Sequence, residues 1–133
     1  MTETEFKHRT KQIALRIIRL VNALPRSAVS AVIGKQLLRS GTSIGANYRA
    51  ACRGKSRPDV AHKLAIVEEE GDESLYWIEL LIDANLVGEQ KVAKLSSDIS
   101  EVVAMTVASI KTIRRRGAVR PESKIQNPKS KME

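Results

Sequence analysis

Apolar residues recur at spacings of three and four in four separate segments of the chain. The repeating positions of the first segment are Phe6, Ile13, Ile17, Leu20 and Leu24, with Thr10 in the slot between Phe6 and Ile13. This period is that of an amphipathic α-helix with one buried face. The other three segments show the same period, which predicts helices over residues 5–24, 28–53, 57–86 and 89–116.

Residues that favour helix ends lie between these segments. Pro25 follows the first segment, and Ser27 and Ser56 are good N-caps for the second and third. Pro58 and Asp59 suit the first turn of the third helix. Because the connections are short, the fold class predicted is all-α, with the helices in an antiparallel up-down-up-down four-helix bundle.

The fourth segment has a clear predicted end. Its stripe passes through Ser109 and Ile113, and three arginines, Arg114–Arg116, then precede Gly117. Cations in the last turn and a glycine after it are typical of a helix C-terminus. The bundle is therefore predicted to occupy residues 1–117. Residues 118–133, rich in lysine and proline, are predicted to form a flexible basic tail.

The second predicted helix contains glycines and small polar residues on its buried side. Gly34, Gly41 and Gly45 each cost a helix about 1 kcal/mol relative to alanine, which indicates close contact with a neighbouring helix. Its buried stripe is predicted to include Val29, Ser40, Ser43, Ile44 and Asn47. Buried polar groups need hydrogen-bond partners and can set helix register, so we interpret them as structural, with Arg39 and an acid of the third helix as their expected partners.

Charge is distributed unevenly along the chain, whose formal net charge is +8. Residues 26–57 contain seven Lys and Arg and no acid, whereas residues 58–88 contain eight acids and one lysine. One interpretation is that these helices neutralise each other within the bundle or between subunits. The other is that the second helix and Arg114–Arg116 form a phosphate-binding face. The sequence leaves both open.

Three patterns resemble chemical motifs, and each is better explained by a helix. Residues 41–45 match G-x-S-x-G, but a nucleophile elbow needs a preceding strand. Asp59 and His62 have the spacing of a di-iron ligand pair, yet the second predicted helix has no carboxylate to complete such a site. The acids of residues 68–73 would fan around a helix, unlike the ligands of a Ca²⁺ loop. We predict no catalytic residue, no metal site and no cofactor.

Composition gives an expectation about location. The single cysteine, Cys52, excludes an intramolecular disulfide. No apolar run approaches the roughly 20 residues that cross a bilayer, and the polar residues after Met1 differ from a signal peptide. We expect a cytoplasmic protein that does not bind membranes.

Two blocks of sequence carry a resemblance to a known family. Residues 36–47 read Gln-Leu-Leu-Arg-Ser-Gly-Thr-Ser-Ile-Gly-Ala-Asn, and residues 73–81 read Glu-Ser-Leu-Tyr-Trp-Ile-Glu-Leu-Leu, preceded by Asp59 and Lys63-Leu64. The chain thus resembles, over about residues 5–115, the bacterial "four helix bundle protein" family, known from proteins encoded in 23S rRNA intervening sequences. It departs from the family pattern at Ala50-Ala51, usually Glu-Ala, and at Val60, usually aromatic.

The resemblance implies an assembly and a class of partner. Members form homo-oligomers, often pentameric rings, and no catalytic residue is established for them. The chain is also similar to the accessory subunit of diversity-generating retroelements, which binds a reverse transcriptase and nucleic acid. Trp77 is then either a core residue or an anchor at a subunit interface.

Two functional hypotheses follow. The first is a non-catalytic bundle that binds nucleic acid, RNA before DNA, through the cations Arg49, Arg53, Lys55, Arg57, Arg114, Arg115 and Arg116. The alternative is a protein-interaction scaffold, such as an accessory subunit of a reverse transcriptase. An enzyme is disfavoured because no set of acid, base and nucleophile converges.

Overall fold

The protein is an all-α up-down bundle. The computed structural model describes the backbone of residues 1–123 and the side chains of residues 1–117. Within that part, the helices are α1 (Glu3–Asn22), α2 (Ala28–Cys52), α3 (Arg57–Asp83) and α4 (Glu89–Ser123). Each packs against the next along the chain, and α1 also contacts α4. The predicted fold class is confirmed.

Capping side chains explain where the first three helices begin. Thr2 accepts a hydrogen bond from the backbone N–H of Glu5 (3.1 Å), and the Glu5 carboxylate accepts one from the backbone N–H of Thr2 (2.8 Å). This reciprocal capping box starts α1 two residues earlier than the apolar pattern predicted. Ser27 and Ser56 cap α2 and α3, as predicted.

The end of α3 is set by a left-handed residue. Asn85 has φ 61°, and its backbone N–H donates to the Ile82 carbonyl. The N–H of Leu86 donates to the Leu81 carbonyl at 2.9 Å, which completes a Schellman motif. The helix therefore ends at Asp83, three residues before the predicted end.

The core lies along the bundle axis and uses the predicted stripes. The largest side chains with almost no exposed surface are Ile13, Ile17, Leu37, Ile44, Ile78, Leu81 and Ile99. Because all four helices contribute, the core is continuous from the α1–α2 side to the α3–α4 side. Within residues 1–123, no helix combines the length and apolar content that crossing a membrane requires.

Val29 and Ser109 were predicted to lie in the core, and both predictions are wrong. Val29 is 53% exposed, because the first turn of α2 buries Ser30 instead. Ser109 is exposed, and Ile110 takes its place in the core. A strict seven-residue repeat drifts relative to a straight helix of 3.6 residues per turn, so the buried stripe of α4 shifts by one residue after Thr106.

The glycines of α2 lie where α1 approaches, as predicted. A Cβ at Gly41 would lie 2.2 Å from Cδ1 of Ile17, and one at Gly45 would lie 3.0 Å from Oγ1 of Thr10. Side chains at these positions would push α1 away. The glycines therefore determine the distance between the two helices.

The predicted end of α4 at Arg116 is wrong. The helix continues to Ser123, because Gly117 does not adopt the left-handed conformation that ends a helix. Within the described residues, no atom lies within 4 Å of a Cβ built at Gly117, so none of them blocks the helix there. The predicted flexible tail therefore cannot begin at residue 118, and residues 124–133 lie outside the described part.

Candidate nucleic-acid interface

The cations predicted to bind nucleic acid lie at one end of the bundle. In an up-down bundle, the start of α1, the end of α2, the start of α3 and the distal part of α4 share an end. We call this the basic end and define it by Lys7, Lys11, Arg49, Arg53, Lys55, Arg57 and Arg114–Arg116. The structure thus places on one end residues that are far apart in sequence.

A groove between α1 and α2 contains four of these cations. It has a volume of about 440 Å³ and is lined by Lys7, Thr10, Lys11, Ala14, Thr42, Gly45, Ala46, Arg49 and Arg53. The lining contains no acid. Lys7 forms an exposed ion pair with Glu3 (3.1 Å), while Lys11, Arg49 and Arg53 form none with any described residue. The charged residues that line this groove are therefore all basic.

Sequence reasoning missed Lys7 and Lys11. They lie four residues apart and therefore share a face of α1. The only signal was this spacing next to the apolar stripe. Which flank of α1 faces α2 depends on packing, so the pattern could not show that these lysines stand beside Arg49 and Arg53.

A second groove, between α3 and α4, has a different character. Its volume is about 450 Å³, and Arg57, His62 and Arg114 line it together with Pro58, Ala61, Ala65, Ile113 and Gly117. Its floor is mostly apolar. Arg115 and Arg116 are exposed, and each successive helical residue points about 100° away from the last. The three arginines of α4 therefore do not form one contact surface.

Pairing between α2 and α3 is centred on Arg39. Its guanidinium donates to Glu70 (3.1 Å) and to Glu73, and the indole N–H of Trp77 donates to Glu73 (3.0 Å). The hydrogen bond from Arg39, followed by that from Trp77, lowers the pKa of the Glu73 carboxyl. Arg39 and the acids of α3, expected as partners of the small polar residues of α2, instead pair with each other through their side chains.

The remaining ion pairs leave the charge of α2 largely unneutralised. Between helices, Arg16 pairs with Asp98 (2.6 Å) and Arg9 with Glu101 (2.7 Å), which joins α1 to α4. Pairs such as Lys63–Asp59 lie within one helix. Among the described residues, Arg39 therefore pairs with acids of α3, whereas Arg49 and Arg53 do not.

The serines of the family motif have two different roles. Ser40 and Ser74 are fully buried, and their hydroxyls lie 2.8 Å apart across the α2–α3 contact. Ser43 and Asn47 are partly exposed and bond only to carbonyls of α2, those of Arg39 (2.8 Å) and Ser43 (2.9 Å). Ser43 and Asn47 were predicted to lie in the core, and this is wrong. The core position at this level of α2 is taken by Ile44, and the two polar side chains lie at its edges. Of the three polar residues on α2, only Ser40 bonds across helices.

Trp77 is partly buried against the core, and its ring contacts the exposed ring of Tyr76 at a centroid distance of 5.1 Å. Its placement therefore leaves the indole at the edge of the α2–α3 contact. The prediction that Trp77 is a core residue is therefore correct for the part of the ring that contacts the core. An interface role stays a prediction.

The patterns considered for chemistry are occupied by structural contacts. The Asp59 carboxylate accepts hydrogen bonds from the Lys63 ammonium and from the Lys55 backbone N–H, both at 2.9 Å, and these lower its pKa. His62 is exposed on α3. Within the described residues, no three His, Cys, Asp or Glu side chains are grouped so as to hold a metal ion. Ser43 lies inside α2, not at a strand-to-helix turn.

Comparison with known proteins identifies the family. A family model described as "23S rRNA-intervening sequence protein" matches residues 2–108, well over half of the chain. The chain belongs to the 23S rRNA-intervening sequence protein family. The resemblance found in the two helical motifs is thereby confirmed.

A solved structure supports this assignment. A protein of unknown function from the S23 ribosomal protein family of Bacteroides thetaiotaomicron is 36% identical, with a TM-score of 0.77. The alignment covers 84% of this chain and 99% of that one. No curated protein sequence matches the chain. The comparisons therefore give the family and the fold, and the basic end must be interpreted from its own chemistry.

Proposed function

We propose that this family member is a non-catalytic helical bundle that binds nucleic acid, RNA above all, through its basic end. The observation that supports this most directly is the clustering of the predicted cations beside Lys7 and Lys11. Arg49 and Arg53 make no ion pair with a described residue. Cations in this state attract polyanions and release the counterions bound to phosphates.

Titration of a labelled RNA against the protein at several salt concentrations tests the proposal. Binding is expected to weaken linearly on a plot of the logarithm of affinity against that of salt concentration. The variant Arg49→Ala/Arg53→Ala should bind less tightly and with a shallower slope. If neither RNA nor DNA binds at low ionic strength, the proposal is wrong.

We also propose that the protein self-associates, and the family resemblance makes a pentamer the expected form. Val29 and Val32 are 53% and 63% exposed, and Tyr76 is 52% exposed. Val32 and Arg39 are seven residues apart and share the face of α2 next to α3. Exposed apolar side chains of this kind occur in the cores of subunit interfaces.

Light scattering after size-exclusion chromatography measures the assembly directly. Val32→Asp should dissociate the oligomer, whereas Lys91→Asp, exposed on α4, should not. A monomeric wild-type protein at micromolar concentration would contradict self-association.

The same exposed apolar side chains support the alternative function, a scaffold that docks another protein such as a reverse transcriptase. Affinity purification from the native host distinguishes the two. Recovery of one stoichiometric protein partner that Val32→Asp abolishes, without bound RNA, would favour the scaffold.

A further inference from the structure

The basic groove between α1 and α2 has an ordered arrangement of cations. Lys7 and Lys11 line it from α1, and Arg49 and Arg53 line it from α2. Each pair is spaced four residues apart, so its members share a face and are separated by about 6 Å along the helix. The groove is thus bordered by two rows of two cations, with spacing comparable to that of neighbouring phosphates in one nucleic-acid strand.

The floor between these rows is made of small side chains. Ala14, Gly45 and Ala46 line it, together with the hydroxyls of Thr10 and Thr42. Small residues leave the roughly 440 Å³ of the groove open between the two helices. A chain of phosphates can enter such a groove, whereas the broad surface of a duplex meets only its rims.

The faces that carry the cations continue into apolar residues. Ile18 lies seven residues after Lys11, and Leu38 lies eleven residues before Arg49, so each shares a face with the cations of its helix. Their side chains are 38% and 36% exposed. Unpaired bases present apolar faces, whereas a duplex hides them in its stack.

We propose that the α1–α2 groove binds the phosphate backbone of a single nucleic-acid strand, lengthwise, between the row Lys7–Lys11 and the row Arg49–Arg53. This inference rests on the proposed nucleic-acid binding and names the site and the strand type. It also assigns a secondary role to Arg114–Arg116, because they do not line this groove and point in different directions around α4.

A charge-matched pair of variants tests the site. Lys11→Ala/Arg53→Ala removes one cation from each row. Arg26→Ala/Lys35→Ala removes the same charge from exposed positions nearer the start of α2, toward the opposite end of the bundle. The probe is a labelled oligouridylate, measured by fluorescence anisotropy, and circular dichroism confirms that both variants fold. The groove variant should bind the oligouridylate about tenfold more weakly, and its slope of log affinity against log salt concentration should be shallower by about 1.4. The control variant should change the affinity and the slope by less than half as much.

A steric variant tests the groove without altering charge. Ala46→Leu places a branched side chain in the lining, and Ala93→Leu makes the same change at an exposed position of α4. Ala46→Leu should weaken oligouridylate binding several-fold, and Ala93→Leu should leave it unchanged. Wild-type protein should prefer the single strand over a duplex of the same length, and inorganic tripolyphosphate should compete for the groove.

The outcomes separate this inference from the broader proposal. If Arg114→Ala/Arg116→Ala abolishes binding while the groove variants bind like their controls, nucleic-acid binding stands and the groove assignment is wrong. If the duplex binds as tightly as the single strand, the assignment of strand type is wrong. If wild-type protein binds neither RNA nor DNA, both proposals fail.

Discussion

The contact between Gly41 and Ile17 allows a quantitative test of how α1 and α2 pack. A Cβ built at Gly41 lies 2.2 Å from Cδ1 of Ile17 and 3.2 Å from its Cγ2. Ile17 has no exposed surface, so its side chain cannot turn into solvent. Gly41→Ala must therefore move α1 or force Ile17 out of its preferred rotamer.

Two opposing effects determine the free energy change. Alanine stabilises a helix interior by about 1 kcal/mol relative to glycine. Overpacking a close-packed core costs about 1–3 kcal/mol. The net expectation is that Gly41→Ala lowers the free energy of unfolding by up to about 2 kcal/mol.

A second substitution isolates the clash. Ile17→Val removes Cδ1 and alone should cost about 0.5–1.5 kcal/mol. In Gly41→Ala/Ile17→Val, the new methyl takes the space of the lost one, so the double variant should be close to wild type in stability. The two changes should therefore couple favourably by about 1–2 kcal/mol.

Urea unfolding followed by far-ultraviolet circular dichroism, at one protein concentration, measures all four proteins. Gly117→Ala is the matched control, because no atom of the described residues lies within 4 Å of the added Cβ, and it should be neutral or stabilising. If the unfolding free energy changes of Gly41→Ala and Ile17→Val sum to that of the double variant within about 0.5 kcal/mol, the close contact between α1 and α2 at this point is refuted.

Three further predictions concern polar and ionisable groups. Ser74→Ala should cost about 1 kcal/mol of unfolding free energy, and adding Ser40→Ala should cost little more, because no partner is then left unsatisfied; strictly additive losses would contradict the shared bond. The pKa of Asp98 is lowered, chiefly by the hydrogen bond from Arg16. Ionised Asp98 therefore stabilises the fold at pH values above its unfolded pKa of about 4, and this stabilisation is lost as the pH falls through the lower folded pKa. In acid unfolding, Asp98→Asn should lose less stability with falling pH than the wild-type protein does. The same pH profile in both proteins would contradict the Arg16–Asp98 pair. Burial raises the pKa of the Cys52 thiol, so it should react slowly with a disulfide reagent at neutral pH and rapidly in denaturant; equal rates would show that the thiol is accessible.

Much of the bundle could be predicted because it depends on local periodicity. The stripe of α3, from Leu64 to Leu81, is buried as predicted, and Ser27 and Ser56 cap the helices that they precede. Such features need only the helical repeat and neighbouring backbone groups. Gly41 also signalled its close contact, because a glycine inside a helix has an energetic cost that packing must offset.

Errors arose where an element's position relative to its neighbours decided the outcome. Ser43 and Asn47 lie near the centre of the predicted stripe but at its exposed edge in the fold. Their own helix satisfies their polar groups, so they need no partner on α3. Gly117 permitted two conformations, and only the structure shows the helical one.

The amino-acid sequence alone determined the four helices, their alternation in direction, the main core residues and the excess of positive charge. It could not decide which flank of each helix meets which neighbour. That choice depends on side-chain packing between segments far apart along the chain. The tertiary structure placed Lys7 and Lys11 opposite Arg49 and Arg53, and paired Arg39 with Glu73. The basic groove exists only because α1 and α2 pack closely through their glycines.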